Sequence, residues 1–254
     1  MNKYVIYTCL TGNYDTLKQP LAVDTDFDYI CFSNDIPDAV LGVWKIVRIP
    51  FTSKDKIVES RYVKLLPHNA LQNYEYSVWM DANIQILSED FYVRIKQLIE
   101  SNCLIAQVNH SYPFRDCVYD EIGACIEKGR IHLVEGIRQY HRLKKMRFPR
   151  HFGLLENNLI FRKHNDCIVV EISNQWWDNF NIGPKRDQFS LMPIYWEHNF
   201  TPDLIFPEDK CARNVDCLKC IGHKEKWQPT FTNKIKYWRD LVNKNLFDFI
   251  KHLL

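Results

Sequence analysis

In the first third of the chain the apolar positions fall in short unbroken runs. Residues 4–10 (YVIYTCL), 27–33 (FDYICFS), 43–49 (VWKIVRI) and 76–80 (YSVWM) are such runs. Three of them stop at turn-forming residues: Thr11-Gly12-Asn13, Asn34-Asp35-Ile36-Pro37 and Asp81-Ala82-Asn83. Runs of this length and composition predict strands buried on both faces. Residues 53–66 read differently. Ile57, Tyr62 and Leu65 recur at helical spacing behind Ser53, which predicts a helix capped by that serine and bent or ended by Pro67. Strands alternating with helices predict an α/β fold built on a mostly parallel sheet.

The middle of the chain is more helical. Residues 89–101 are amphipathic, 103–108 read as a strand, and 118–140 read as two helices broken at Gly129. Residues 154–162 predict a strand, 165–180 and 186–195 helices, and 203–206 a short extended segment. A polar, cysteine-bearing stretch follows, and residues 232–254 predict a closing helix. With no repeat and no linker, the pattern predicts one domain over 1–228 and a helical tail over 229–254.

Composition narrows the class. The 254 residues carry 33 Lys/Arg against 31 Asp/Glu, a balance that argues against a nucleic-acid partner held by a uniform positive field. No run reaches the roughly 18 apolar residues of a membrane span, and residues 1–8 lack the apolar core of a secretion signal. Nine cysteines, several in apolar runs (Cys9, Cys31, Cys103, Cys167), are expected to be reduced core residues of a cytoplasmic protein.

Ligands of open α/β sheets bind at the carboxyl ends of strands. Two such ends carry chemistry. The first strand runs into Thr8, Thr11, Gly12, Tyr14 and Asp15, where a glycine and hydroxyls let a ligand approach the backbone. The fourth ends in Asp81-Ala82-Asn83, two oxygen donors two residues apart. That spacing can hold one hard divalent cation, which would neutralise a diphosphate, and it is the D-x-D arrangement of nucleotide-sugar transferases with Asn in second place. The plainer alternative is an Asx turn closing a strand. Arg61 and Lys64 share a helical face and could clasp a diphosphate. Glu156, Asn157 and Asn158 precede an apolar strand, and Asp187-Gln188 opens an apolar helix; both suit sugar hydroxyls and both occur in ordinary loops.

These segments together resemble a known family. Tyr7-Thr8-x-x-Thr11-Gly12-x-Tyr14-Asp15, Tyr29-Ile30-Cys31-Phe32-Ser33, Arg61-x-x-Lys64-x-x-Pro67-His68 and Trp79-Met80-Asp81-x-Asn83-Ile84 are similar to its motifs. So are Arg115-x-Cys117-x-Tyr119-x-Glu121, Gly153-Leu154-x-Glu156-Asn157, Trp176-Trp177 and Arg186-Asp187-Gln188-x-Ser190. The family is a glycosyltransferase-like group long catalogued as a domain of unknown function, with bacterial polysaccharide-locus and plant wall-polysaccharide members. The resemblance implies a GT-A type, Rossmann-like sheet, a nucleotide-sugar donor with UDP favoured, and a divalent metal, Mn2+ or Mg2+. It implies Asp81 and Asn83 as metal ligands, and Arg61 and Lys64 as donor contacts beside Thr8, Thr11, Gly12, Tyr14 and Asp15. Asp187, Gln188 and Glu156 become candidate catalytic residues. Arg115, Tyr119, Glu121 and Asn157 form a polar cluster on the acceptor side, with an Arg115–Glu121 ion pair as its simpler reading.

Gly222-His223-Lys224-Glu225-Lys226-Trp227 is similar to the late histidine segment of glycogenin-like transferases, which implies His223 as third metal ligand and Lys226 as a diphosphate contact, with His198 as runner-up. Cys211, Cys217, Cys220 and His223 allow a rival reading as structural zinc ligands. The tail repeats Ile235, Trp238, Leu241, Val242, Leu246, Phe249, Ile250 and Leu253 at spacings of three and four among lysines. It is expected to pack on the domain through that stripe, with peripheral contact to the inner membrane face as the alternative. The function expected is sugar transfer from a nucleotide-sugar to a glycan or lipid-linked acceptor in surface polysaccharide synthesis. A non-catalytic sugar- or nucleotide-binding module is the alternative.

Overall fold

The computed structural model describes residues 2–12, 14–110, 115–222 and 231–253, the last without the side chains of 231, 232 and 234. The elements run β1 (Tyr4–Cys9), β2 (Phe27–Phe32), β3 (Val40–Leu41), β4 (Trp44–Val47), α1 (Lys56–Leu65), α2 (Pro67–Ala70), β5 (Tyr76–Met80), β6 (Ile84–Ile86) and α3 (Asp90–Glu100). They continue as β7 (Ile105–Asn109), α4 (Val118–Glu127), α5 (Leu133–Lys145), β8 (Leu155–Arg162), α6 (Cys167–Ile182), a 3-10 turn (Asp187–Phe189), α7 (Leu191–Glu197), β9 (Asp203–Leu204), β10 (Leu218–Cys220) and α8 (Phe231–Leu253).

The main sheet has the order β3-β4-β2-β1-β5-β8-β7-β9. β4, β2, β1 and β5 form a parallel ladder, and β8 runs antiparallel to both β5 and β7. Apolar cores lie on both faces. Val5, Tyr7 and Cys9 of β1 face one with α1, α4, α5 and α6, while Ile6 and Leu10 face the other with α3. This two-sided burial is why the strands read as continuous runs. β6 and β10 pair as a separate two-stranded ribbon at the end of β5.

Several local expectations change. Helix α1 is capped by Asp55, whose side chain accepts from the Ile57 amide, because Ser53 stands two residues too early and turns the Asp55 amide instead. Pro67 opens α2 at its first position, where its missing N–H is harmless. The helix expected over 186–195 divides into the 3-10 turn and α7. Trp176 Nε1 takes the Asp187 carbonyl at 2.9 Å and draws that turn inward. Cys167 is exposed at the start of α6, whereas Cys9, Cys31 and Cys103 are buried, and all nine cysteines are free.

Helix α8 packs on α4 and α5, but not through the stripe its pattern suggested. Phe247 and Asp240 are its buried residues, and Phe247 meets Tyr140 edge-on at 5.8 Å. Ile235, Trp238, Val242, Leu246, Phe249 and Leu253 all remain exposed on the opposite side. The packed side is the one that carries Phe247, Asp240 and Lys244, whose side chain with that of Phe247 lies against Gly123 of α4.

Candidate active site

The site is assembled from the C-terminal turn of α1 outward. Lys64 is 2% exposed, and its ammonium stands 2.7 Å from Asp187 and 3.5 Å from Asp81. Arg61, one turn earlier, lies 3.5 Å from the same Asp187 oxygen. Beneath them Arg162 of β8 is also buried; its guanidinium donates to the Lys64 carbonyl at 2.7 Å and to Tyr7 Oη at 2.5 Å. A cation at the last carbonyls of α1 matches that helix's negative end and fixes where Lys64 points. The Tyr7 hydroxyl stays neutral, burial pushing it up to about 12.

Burial opposes the charge of Asp187, but Lys64, Arg61 and Arg186 together overcome it and hold the carboxyl well below its ordinary range. Asp187 is therefore a fixed anion at neutral pH. A base so weak is poorly matched to proton abstraction, so its chemistry is that of orientation and charge. The pair Arg61 and Lys64, expected to clasp a diphosphate, lines the cleft. Both are turned onto carboxylates, because two cations on one buried helical face need anions inside the fold.

Asp81 leaves β5 beside this pair. Its Oδ1 accepts from Trp79 Nε1 at 2.8 Å. Asn83 has two tasks: its Nδ2 donates to the Ile221 carbonyl at 3.0 Å, and the Ile221 amide returns a bond to the Asn83 carbonyl at 2.8 Å. An Asp at 83 could not donate the first of these bonds, which accounts for Asn at the second donor position. Asn83 Oδ1 remains for a ligand. Two oxygen donors suit an ion that completes its shell with water and substrate phosphates, as magnesium commonly does. Among the described residues the one group of three His, Cys or carboxylate side chains close enough to share an ion is Cys117, Asp120 and His151, none of which lines the cleft. His223 and Lys226 lie outside the described residues, the described chain reaching Gly222 beside the Ile221–Asn83 pair.

The facing wall comes from β8 and α4. Opposite the Gln107–Val108 step of β7, the β8 ladder skips from Ile160 to Glu156. This irregularity re-aims Asn157 and Asn158, which line the cleft with Glu156. Glu156 pairs with Arg213, Gln188 Nε2 donates to the Leu155 carbonyl, and Asn157 Oδ1 accepts from Gln107 at 2.9 Å. Glu121 pairs with Arg115 at 2.7 Å, the simpler of the two readings of that pair. His110 stands 3.8 Å from Glu121, and burial pushes its imidazole below the ordinary range despite Glu121 and Glu156 nearby.

Other expected residues lie elsewhere. Tyr119 is a core residue, its hydroxyl donating to the Phe148 carbonyl at 2.7 Å. His198 caps α7 and meets Gln175 at 3.0 Å, away from Asp81. Thr8 is buried, Thr11 Oγ1 donates to the Lys56 carbonyl, and the Gly12 amide donates to Asp35. That loop, with Tyr14 and Asp15, leaves the same end of the sheet as Asp81, since Tyr7 pairs with Trp79, but it does not line the cleft. Cys211, Cys217 and Cys220 do not converge: Cys211 Sγ accepts from the Arg213 amide at 3.3 Å and Cys220 Sγ donates to the Ala212 carbonyl at 3.2 Å. Sequence reasoning passed over His110, Arg130 and Arg213, and left Arg186 without a task; all four line the cleft, as does Asn158 of the expected polar run. The four come from four separate segments, and no local pattern marks them.

Breaking the central pair should be costly. Asp187→Asn leaves a buried ammonium short of its partner and should lower unfolding stability by about 3–5 kcal/mol in urea titrations. With Lys64→Met added, the double variant should fall short of the summed single losses by roughly 2 kcal/mol; additivity within about 0.5 kcal/mol would show the pair to be uncoupled. Because folding depresses the Asp187 pKa, its contribution is complete well above the ordinary carboxylate value of about 3.9 and is lost as pH falls below it.

The structure aligns with mouse xyloside xylosyltransferase 1 in its apo form at a TM-score of 0.46 and 8% identity, over 86% of this chain and 97% of that one. It aligns with the apo bifunctional glycosyltransferase WbbM at a TM-score of 0.41 and 10% identity, over 95% of this chain and 44% of that one. No curated protein sequence matches. The model of the TOD1/MUCI70 glycosyltransferase-like domain matches residues 1–212. The chain with this α/β sheet and polar cleft belongs to the TOD1/MUCI70 glycosyltransferase-like domain family.

Proposed function

We propose that the protein transfers a sugar from a nucleotide-sugar, a UDP-sugar, to a glycan or lipid-linked acceptor in surface polysaccharide synthesis. The observation that carries this reading is Asp187 fixed as an anion between Lys64 and Arg61, beside the Asp81 and Asn83 oxygens at the end of β5. A fixed carboxylate accepts sugar hydroxyls, and the adjoining cations meet a departing diphosphate, where charge grows in the transition state. Asp81 and Asn83 hold a divalent metal, Mn2+ or Mg2+, which when bound neutralises the diphosphate. Gln188 and Glu156 line the sugar side. His223 and Lys226 complete the metal and diphosphate contacts in this reading.

The tail supports a place for the protein at the inner face of the membrane. No helix among the described residues is long and apolar enough to cross one. Yet α8 turns Trp238, Val242, Phe249 and Leu253 outward, with exposed Lys236 and Arg239 at the side. Over residues 231–253 the sequence has five Lys/Arg and two Asp/Glu, a net +3 against +2 for the whole chain, so the positive excess resides in this helix. Aromatic and basic residues in that arrangement suit an anionic bilayer surface.

Calorimetry with UDP, with and without manganese, tests the metal. Asp81→Ala should lose the manganese-dependent part of UDP affinity by at least about tenfold, the loss of a carboxylate ligand. A folded Asp81→Ala protein with unchanged manganese dependence contradicts the assignment. Asn83→Asp should keep or strengthen manganese-dependent binding while lowering stability, since it surrenders the donor to Ile221.

Sedimentation with vesicles tests the tail. The wild-type chain should pellet with vesicles rich in phosphatidylglycerol and not with neutral ones, and Trp238→Glu/Phe249→Glu should remain in the supernatant. Equal pelleting of that variant, with an unchanged melting temperature, would remove the membrane contact from the account.

A further inference from the structure

The cleft holds more positive charge than its own carboxylates use. Its four acids are all engaged: Asp187 and Asp81 with Lys64, Glu156 with Arg213, and Glu121 with Arg115. Arg130 and Arg186 also line it, and neither meets a carboxylate among the described residues. Arg186 Nε is buried without an acceptor. Asn157 is 5% exposed, and its Nδ2 is likewise without one. Buried donors left unpaired are costly, and an occupant bringing anionic oxygens would remove that cost.

The two arginines stand apart from the cations assigned to the donor. Lys64 and Arg61 of α1 hold Asp187 within ion-pair distance, whereas Arg186 acts on it from farther away. Arg130 and Arg186 both act on the Cys125 thiol of α4. Arg130 follows the Gly129 turn, whose φ of +60° favours glycine and where a Cβ would lie 2.2 Å from Asp240 Oδ2 of α8. The arginine wall is thus bounded by α4 and by the tail helix, and the donor half by β5 and α1.

We infer that Arg130, Arg186 and Asn157 form a subsite for an anionic group on the acceptor, a phosphate or a carboxylate. Guanidinium forks, here the exposed Arg130 and the half-buried Arg186, recognise either group with paired, charge-assisted hydrogen bonds that a neutral hydroxyl does not match. The inference rests on the proposed sugar transfer for the word acceptor, but the subsite itself can be tested alone. Two sources fit the chemistry: the diphosphate of a lipid-linked sugar, which would lie beside α8, or an acidic sugar within a glycan.

The experiment titrates the full chain, saturated with UDP and manganese to fill the donor half, with farnesyl diphosphate, cellobiouronic acid and neutral cellobiose. One of the anionic probes should bind at least about tenfold more tightly than cellobiose, and which one does so names the source. Arg130→Gln/Arg186→Gln should remove that preference while changing UDP affinity less than twofold. Absence of any anion preference in the wild type would overturn the subsite. So would loss of UDP binding in the variant, which would assign the arginines to the donor. Failure of the wild type to bind UDP would instead count against the donor site, and the same anion titration without UDP would still judge the subsite. If the double variant does not fold, Arg186→Lys, which keeps the charge and loses the fork, should weaken the anion preference several-fold.

Discussion

The contact between Lys64 and Asp187 decides where the rest of the cleft can be. Both groups are almost wholly withdrawn from water, where a charge left without a partner is costly. The pair ties the last turn of α1, in the first half of the chain, to the 3-10 turn before α7, in the second half. Everything around it serves to aim it. Arg162 holds the Lys64 carbonyl from below, Trp176 holds the Asp187 carbonyl from behind, and the β5 end brings Asp81 within 3.5 Å of the same ammonium. The cleft therefore forms where the two halves of an α/β sheet meet at their strand ends, the place where such sheets bind ligands.

Much of this was legible in the sequence. The run at 76–80 is β5 to the residue, and the D-x-N after it stands where a parallel strand ends. Asp187 and Gln188 do face the cleft, as do Glu156 and Asn157. These were readable because a strand buried on both faces writes itself as an apolar run, and polar residues at its end have few structural reasons to be there. The partner of each cation was not readable. Spacing places Arg61 and Lys64 on one face, but which anion the fold brings to that face depends on a turn some 120 residues further on. The antiparallel course of β8, the irregularity that swings Asn157 and Asn158 outward, and the β6–β10 ribbon are equally nonlocal.

Tail and cleft show the same limit from another side. The apolar period of α8 is strong, and period alone names the face that would be buried. The folded chain buries the other face through Phe247 and Asp240, against α4 and α5. An amphipathic pattern records that a helix has an apolar side; it does not record what covers that side. Likewise Arg130 and Arg186 look like ordinary surface cations in the sequence, and only the tally of ion pairs inside the cleft separates them from Arg61, Lys64 and Arg213, which have carboxylates of their own.

The central claim is that the space beside the Lys64–Asp187 pair receives the diphosphate end of a sugar donor. A crystal structure of the full chain with UDP and manganese tests it most directly. The account predicts the metal on Asp81 and Asn83, the diphosphate between it and Arg61, and the open side of the β-phosphate turned toward Asp187. UDP seated elsewhere, or metal density at Cys117, Asp120 and His151 with none at Asp81, would contradict it.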